Sequence, residues 1–235
     1  MKFLILGCGS MGRRRARCLH ALGYRDILAV DTKEERRRQM ASELGVETCG
    51  DLEAALGQSP GFALICLPPH LHYCALLRCI EARVPAFCES PLVMTLKEAD
   101  DVIARAESAG VFIAPSMTYL HNAIHLKIAK MLREEVLGKP LAAVSHAGQH
   151  VADWHPYEDY RGFYASKRSE GGMCFDMLPH EFHLFTHLFG PVKALTCMAR
   201  RRCETIETDP GACDVYDVLM DMASSVSMII HEDMF

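Results

Sequence analysis

A glycine-rich segment near the amino terminus has the residue types and spacing that bind a pyrophosphate. It reads Gly7-Cys8-Gly9-Ser10-Met11-Gly12, a GxGxxG pattern. Gly7 permits a tight turn, Gly9 lets the backbone approach a phosphate, and Gly12 lets a helix pack close to a strand. The N–H groups at the start of that helix attract phosphate oxygens. The pattern alone is weak, and a glycine turn that binds no ligand is the alternative.

An acidic residue follows at the distance expected of a ribose ligand. Asp31 lies 19 residues after Gly12, at the end of a predicted strand. A carboxylate there accepts hydrogen bonds from the ribose hydroxyls and repels a 2′-phosphate, which favours NAD over NADP. Arg36, Arg37 and Arg38 come soon after and could reach a phosphate, but a solvated helix face is the favoured interpretation.

The elements that must position these residues alternate between strands and helices. Strands are expected at residues 3–6, 26–30, 62–66, 85–88 and 111–114, and helices at residues 10–22, 73–82 and 96–108. The strands are continuous apolar runs, as in parallel strands that are buried on both faces. The alternation through about residue 118 predicts an α/β fold with a doubly wound parallel sheet, whose ligands lie beyond the carboxyl ends of the strands.

Length and composition exclude several classes of protein. The chain has 235 residues, half of them hydrophobic, and a net charge of −5 from 30 acidic and 25 basic side chains. This argues against disorder and gives no basic excess for binding nucleic acid. No apolar run reaches the ~20 residues that span a bilayer, so no membrane contact is predicted. Eleven cysteines without a CxxC pair favour reduced thiols in a cytoplasm.

Four segments together resemble the Gfo/Idh/MocA family of NAD(P)-dependent oxidoreductases. They are the glycine segment with Asp31, Pro-Pro-His-Leu-His at residues 68–72, Glu-Ser-Pro-Leu at 89–92, and Gly-Gly-Met-Cys-Phe-Asp-Met-Leu-Pro-His-Glu at 171–181. The resemblance implies a Rossmann domain over residues 1–118, then an α+β domain over 119–235 with an open, largely antiparallel sheet. It also implies a sugar, cyclitol or polyol substrate and oligomer contacts through that sheet.

The resemblance assigns the cofactor to the glycine segment and the strand ends. The expected contacts are Gly7, Gly9, Ser10, Met11, Gly12, Asp31, Leu67, Pro68, His72 and Glu89. NAD is the expected cofactor, with NADP less favoured.

Two departures from the family pattern bear on activity. The family usually has a lysine where this chain has Ser90, which keeps a hydroxyl near the substrate but loses the cationic arm that lowers the pKa of a substrate hydroxyl. The family's second domain also normally continues well past the position of Phe235, so an incomplete sheet is expected. Its unpaired edge predicts self-association, and the expected partner is a second copy of the chain.

The resemblance also names a candidate catalytic pair. Asp176 and His180 lie four residues apart on a predicted helix, hence on one face. His180 would exchange a proton with the substrate hydroxyl while C4 of the nicotinamide exchanges the hydride, and Asp176 would orient the imidazole or hold a hydroxyl. Without the resemblance, a core histidine is the favoured interpretation of His180. His183 and His187 continue the face at a spacing that suits zinc or iron, but no metal site is predicted.

An aromatic loop over residues 154–164 is the candidate substrate contact. Trp154, Tyr160 and Arg161 suit stacking on a sugar ring and hydrogen bonding to its hydroxyls. Packing of these aromatics onto the edge of the sheet is an equally favoured alternative.

Two functions follow from these residues. The leading hypothesis is an NAD-dependent oxidoreductase acting on a sugar, cyclitol or related polyol. The alternative is a dinucleotide-binding protein with little or no dehydrogenase activity, either regulatory or the product of a truncated gene. Ser90 and the short second domain support the alternative.

Overall fold

A computed structural model describes residues 1–235 and shows two compact units, Met1–Ser116 and Met117–Phe235. The division lies two residues before the predicted boundary at residue 118. None of the helices combines the length and the apolar character that a membrane crossing needs.

The first unit is a six-stranded parallel sheet between helices. Its strands are β1 (Phe3–Leu6), β2 (Ile27–Val30), β3 (Glu47–Cys49), β4 (Phe62–Ile65), β5 (Ala86–Cys88) and β6 (Ile113–Pro115), and its helices are α1 (Ser10–Ala21), α2 (Glu34–Leu44), α3 (Leu52–Leu56), α4 (His72–Glu81) and α5 (Leu96–Ala109). The strand order is β3-β2-β1-β4-β5-β6, with every pairing parallel. The predicted doubly wound sheet is confirmed.

Both faces of this sheet carry a hydrophobic core, as the apolar runs predict. In β1, Leu4 and Leu6 belong to one buried cluster, while Phe3 and Ile5 belong to the cluster on the other face. A strand with side chains in two cores has no solvated face, and this is why it shows no polar alternation.

Local signals fix the ends of the longest helix in this unit. The Thr95 hydroxyl accepts the Glu98 N–H at 3.2 Å, and the Glu98 carboxylate accepts the Thr95 N–H at 3.1 Å, a reciprocal capping box. Gly110 ends α5 in the left-handed conformation that glycine adopts without a steric penalty. The predicted start and stop of this helix are therefore correct to one residue.

The second unit is a four-stranded sheet with helices on one face. It contains α6 (Ala123–Arg133), β7 (Ala142–Gly148), α7 (Gly172–Asp176), α8 (Leu178–Phe189), β8 (Val192–Arg200), β9 (Val215–Met222) and β10 (Ser227–Asp233). The strand order is β7-β10-β9-β8, with one parallel pairing, β7 with β10, and two antiparallel ones. The predicted open, largely antiparallel sheet is confirmed.

The two faces of the second sheet differ in burial. The inner face carries Val218, Met220, Met228 and Ile230, which share one buried cluster with apolar residues of α8. The opposite face, called the outer face below, exposes Val144, Leu219 and Ile229 to solvent. Strand alternation produces this split, because neighbouring residues of a strand point to opposite sides of a sheet.

The single helix predicted through Asp176 and His180 is wrong. Asp176 ends α7, and a second helix, α8, begins at Leu178 with Pro179 in its first turn. Proline favours that position because its missing N–H is not needed there. Asp176 and His180 therefore belong to two helices, and the spacing of four residues does not place them on one helical face.

Candidate cofactor and catalytic sites

The glycine turn leads from β1 into α1, and each of its glycines has a separate reason. Gly7 has φ +99°, and a Cβ there would lie 2.4 Å from the carbonyl oxygen of Cys66. A Cβ on Gly12 would lie 1.8 Å from the carbonyl oxygen of Gly7. At Gly9 a Cβ would meet only the Arg36 guanidinium, at 3.8 Å. Gly7 and Gly12 are thus required by the turn itself, whereas Gly9 borders open space.

The start of α1 offers its N–H groups to an anion. Gly9 is the capping residue and has no side chain to cover the first turn, which Ser10 and Met11 open. Uncapped N–H groups at a helix start are the usual partners of a pyrophosphate. With the open space at Gly9, the turn fits a dinucleotide.

Asp31 is held at the end of β2 by two backbone contacts. Its carboxylate accepts the N–H of Cys8 at 2.9 Å through one oxygen and the N–H of Lys33 at 2.8 Å through the other. The first contact ties the second strand to the glycine turn. Each carboxylate oxygen has two lone pairs, so each oxygen retains one for a ribose hydroxyl. The role of Asp31 as a ribose ligand stays a prediction.

The three arginines of α2 are not equivalent. Arg37 donates to the backbone oxygens of Asp31 at 2.6 Å and Thr32 at 3.1 Å, and Arg36 lies beside Gly9. Only Arg38, which pairs with Glu34 at 2.5 Å, is a plain surface residue. The solvated-face interpretation is therefore wrong for Arg37, and Arg36 adds positive charge next to the phosphate turn.

His72 joins the two loops that follow β4 and β5. Its ring is fully buried, with Nδ1 2.8 Å from the carbonyl oxygen of Pro91 and Nε2 2.7 Å from that of Leu67. Burial lowers the pKa of His72, against the effect of the two backbone contacts, which raise it. Because the ring is enclosed, we expect His72 to act on the cofactor through the Leu67–Pro68 loop rather than by direct contact.

Glu89 forms an ion pair with Arg15, a residue that no motif in the sequence indicates. Arg15 of α1 donates to the Glu89 carboxylate at 2.5 Å, and its guanidinium lies 5.0 Å from the centre of the Phe87 ring. This ion pair fixes the loop after β5 against the helix of the glycine turn. Next to it, the Ser90 hydroxyl is buried and makes no hydrogen bond within the chain. A buried hydroxyl without a protein partner is free to bind a ligand.

His180 lies in the first turn of α8, stacked on a tyrosine. The rings of His180 and Tyr119 are 5.1 Å apart and nearly parallel, and the ring of His125 lies 5.0 Å from that of Tyr119. Burial raises the pKa of Tyr119, and nearby carboxylates add to the effect. The imidazole is thus held by an aromatic ring that itself stays protonated.

Carboxyl groups surround this aromatic pair. Glu181 is 5% exposed and accepts the Ser145 hydroxyl at 2.9 Å, while Glu232 is 1% exposed. Burial raises the pKa of Glu181, and burial with the charges of Glu181 and Asp176 raises that of Glu232 to about 8. Burial also raises the pKa of Asp176, against the hydrogen bond that it accepts from the Tyr164 hydroxyl. A set of protonatable groups in one place is typical of a site that moves protons.

The sequence contains a signal for two of these residues. Met228, Ile230 and Glu232 alternate along β10, so Glu232 falls on the inner face among core residues. Glu181 likewise lies on the buried side of α8. A charged residue at an apolar position is uncommon unless it is paired or functional.

The two histidines that follow His180 on α8 differ in their surroundings. His183 has a buried Nδ1 without a hydrogen bond, and burial lowers the pKa of its ring. His187 is exposed in the last turn of α8. The ligating atoms of these residues do not converge with those of Asp176 and His180.

The aromatic loop satisfies its own polar groups. The Trp154 indole N–H donates to the carbonyl oxygen of Gln149 at 3.0 Å, and the Tyr160 hydroxyl accepts the N–H of Glu207 at 3.2 Å. Arg161 pairs with Asp159 at 2.9 Å and with Glu207 at 3.4 Å. Trp154 and Tyr160 pack on a small buried cluster at the edge of the sheet. This geometry favours the packing alternative, and substrate contact by Trp154, Tyr160 and Arg161 stays a prediction.

Two family models match the chain, and together they cover both units. The model for the oxidoreductase family GFO_IDH_MocA, NAD-binding Rossmann fold, matches residues 1–117, and the GFO/IDH/MocA C-terminal domain model matches residues 125–234.

Curated relatives extend the likeness over most of the chain. Myo-inositol 2-dehydrogenase of Thermotoga maritima is 25% identical over 193 residues, 81% of this chain and 55% of the relative. D-apiose dehydrogenase of Paraburkholderia graminis is 23% identical over 232 residues, 97% of this chain and 59% of the relative. The chain therefore spans little more than half the length of these relatives.

Solved structures share the fold. GenD2 of gentamicin A biosynthesis, crystallised with NAD, superposes with a TM-score of 0.83 at 18% identity, over 100% of this chain and 66% of that one. WlbA from Bordetella pertussis, crystallised with NADH and UDP-GlcNAcA, gives 0.84 at 18% identity, over 100% and 67%.

Proposed function

The chain belongs to the Gfo/Idh/MocA family of oxidoreductases, and from this premise we propose that it binds NAD and exchanges a hydride with a hydroxyl-bearing carbon of a sugar, cyclitol or related polyol. The observation that carries the proposal is the glycine turn with Asp31 fixed beside it by the Cys8 N–H. The uncapped start of α1 binds the pyrophosphate, and Asp31 binds the adenosine ribose. Arg36 lies near enough to the turn to assist with phosphate charge, and Asp31 keeps NADP the less favoured cofactor.

The chain's own groups handle the proton of this reaction. NAD, when bound, supplies a carbon that accepts or returns the hydride. In the oxidation direction His180 accepts the proton of the substrate hydroxyl, and the carbon loses hydride, which leaves a ketone. Tyr119 stacks on the imidazole and holds it in place, and Asp176 offers a hydrogen bond to a further substrate hydroxyl. A substrate contact of Ser90 stays a prediction.

Binding and turnover can be measured separately on the purified chain. We expect NAD binding by calorimetry and a rise in reduced-nicotinamide absorbance with at least one member of a polyol panel. NAD binding without turnover across a broad panel would favour the alternative function, a dinucleotide-binding protein. The specific observation that favours this alternative is Ser90, which supplies no cation at the position where the family usually has lysine.

Replacement of Asp31 by alanine tests the ribose site. The variant loses the charge-assisted acceptors for the ribose hydroxyls, and the loss of one such bond costs about 1.5–3 kcal/mol, so NAD affinity is expected to fall by at least about 10- to 100-fold. Arg38→Ala is the matched control, since Arg38 pairs only with exposed Glu34. Calorimetric titration with NAD checks both variants, and an equal loss in the two would contradict the assignment.

The variant Ser90→Lys restores the lysine that the family usually has at this position and tests whether Ser90 limits turnover. Ser90→Lys is expected to raise turnover about tenfold or more, because an ammonium group stabilises the developing alkoxide. Ser90→Ala is the control: its hydroxyl makes no hydrogen bond within the chain, so its removal is expected to leave folding intact. A lysine variant that folds and binds NAD without any gain in turnover would show that Ser90 does not limit the reaction.

We propose further that the chain is cytoplasmic and forms a homo-oligomer through the outer face of the second sheet. All eleven cysteines are unpaired, which fits a reducing compartment. The outer face exposes Val144, Leu219 and Ile229 in adjacent strands, an apolar row typical of association surfaces. Light scattering at high concentration tests the assembly, and a monodisperse monomer would contradict it.

A further inference from the structure

Four side chains with metal-binding chemistry meet on the outer face of the second sheet. In the register of the strands, His146 of β7 lies opposite His231 of β10, and His231 lies opposite Asp217 of β9. Residues opposite one another in neighbouring strands share a face. Asp233 lies two residues beyond His231, on the same face. The group is separate from α8, which packs on the inner face, and it does not depend on the proposed hydride transfer.

The ligating atoms of three of these residues already converge. His231 Nε2 is 3.2 Å from Asp233 Oδ2, and His146 Nε2 is 3.6 Å from the same oxygen. The three atoms all lie within 4.8 Å of one another. A tetrahedral ion with bonds of about 2.0–2.2 Å separates its ligand atoms by about 3.3–3.6 Å. The two distances to Asp233 are close to this spacing, and a side-chain rotation that brings the two histidine nitrogens to it would complete the site.

The remaining polar atoms orient these ligands. Nδ1 of His231 lies 2.7 Å from Asp217 Oδ1 and donates its N–H there. Nε2 lies 3.2 Å from Asp233 Oδ2, where it donates to the carboxylate when protonated and offers a lone pair to an ion when it is not. A carboxylate behind a histidine ligand is the usual outer shell of a zinc site. The other oxygen of Asp233 accepts the N–H of Phe235 at 3.1 Å, which leaves Oδ2 for the two histidines.

The backbone leaves room for the carboxylate at this point. A Cβ on Gly148 would lie 2.4 Å from Asp233 Oδ2, so only glycine lets that carboxylate lie over β7. The Asp233 side chain is 8% exposed, whereas that of His146 is 68% exposed. A largely buried carboxylate needs a positive partner. A protonated His231 would supply that partner, and Nε2 of the exposed His146 lies beside the same oxygen.

We propose that His146, His231 and Asp233 bind a divalent transition-metal ion, with Zn²⁺ the best match. Two imidazole nitrogens and one carboxylate oxygen are a common ligand set for zinc, and a fourth position stays open to water. In the single chain, the exposed ring of His146 gives the ion a path from solvent. The bound ion links β7 to β10, the one parallel pairing of this sheet.

Calorimetric titration of the full chain with Zn²⁺ tests the site. The protein is first stripped with a chelator, and its exposed thiols are alkylated because cysteines also bind zinc. We expect one equivalent of Zn²⁺ to bind and the melting temperature to rise with it. His146→Ala is the diagnostic variant, since its exposed ring can be removed without disturbing the core, and its affinity is expected to fall by more than about tenfold.

Two further variants keep the test decisive. Asp217→Asn removes the carboxylate behind His231 and is expected to weaken Zn²⁺ about 10- to 100-fold, the usual effect of an outer-shell partner. His187→Ala, an exposed histidine on α8, is the matched control and is expected to bind Zn²⁺ as the unaltered chain does. Absence of stoichiometric binding, or equal affinities for the His146 and His187 variants, would overturn the proposal and leave only a histidine–carboxylate ion pair.

Discussion

Replacement of His180 by alanine is expected to lower kcat by about 10²- to 10⁴-fold, the usual contribution of a positioned general acid–base group. His180 lies in the first turn of α8 with its ring stacked on Tyr119 at 5.1 Å. The glycine turn and Asp31 belong to the other compact unit. NAD affinity is therefore expected to stay unchanged, and the loss falls on turnover alone.

Steady-state kinetics with an active polyol, alongside calorimetry with NAD, separate these effects. His187→Ala is the matched control, because it removes an exposed imidazole from the last turn of the same helix. Its kcat is expected to stay close to that of the unaltered chain. If the His180 variant kept full activity, the proton would have to pass through another group, and the buried carboxyls of Glu181 and Glu232 would be the next to replace.

The fold was predictable where one local pattern determines one element. Apolar runs predicted β1, β2 and β4, because a parallel strand that is buried on both faces is apolar at successive residues. The short strand β3 carries Glu47 and Thr48 on a half-exposed edge, so no apolar run marks it. The division between α7 and α8 was not predicted because the spacing of four residues was considered without Pro179. Proline has no backbone N–H with which to continue the hydrogen bonds of α7 into α8.

The arrangement of the candidate site residues was predictable where they lie close together in sequence. The glycine turn and Asp31 lie within one βαβ unit, and their geometry agrees with the spacing. Arg15 could not be distinguished among neighbouring arginines, because its partner Glu89 lies 74 residues away in sequence. His146 and His231 come together only through the parallel pairing of β7 with β10. No spacing in the chain indicates that pairing, and for this reason no metal site was predicted from the sequence.

Gly12→Ala is expected to unfold much of the first unit. The new Cβ would lie 1.8 Å from the carbonyl oxygen and 2.9 Å from the carbonyl carbon of Gly7, so backbone rather than a side chain must move. We expect the free energy of unfolding to fall by about 3–5 kcal/mol, in the range of severe core overpacking and backbone strain. NAD binding is expected to be lost with it, because the turn and the start of α1 move together.

Gly9→Ala separates the two reasons for glycine in this turn. Its Cβ would meet only the Arg36 guanidinium at 3.8 Å, and Gly9 has φ −72°, which alanine adopts freely. Stability is expected to fall by at most about 1 kcal/mol, the difference made by a poorer helix cap. NAD affinity is expected to fall at least tenfold, since the methyl group occupies the space that the pyrophosphate needs. Urea denaturation and calorimetry on both variants check this, and equal destabilisation by the two would contradict it. If the Gly9 variant is stable but no longer binds NAD, and the Gly12 variant is unstable, then ligand approach requires glycine at residue 9 and chain packing requires it at residue 12.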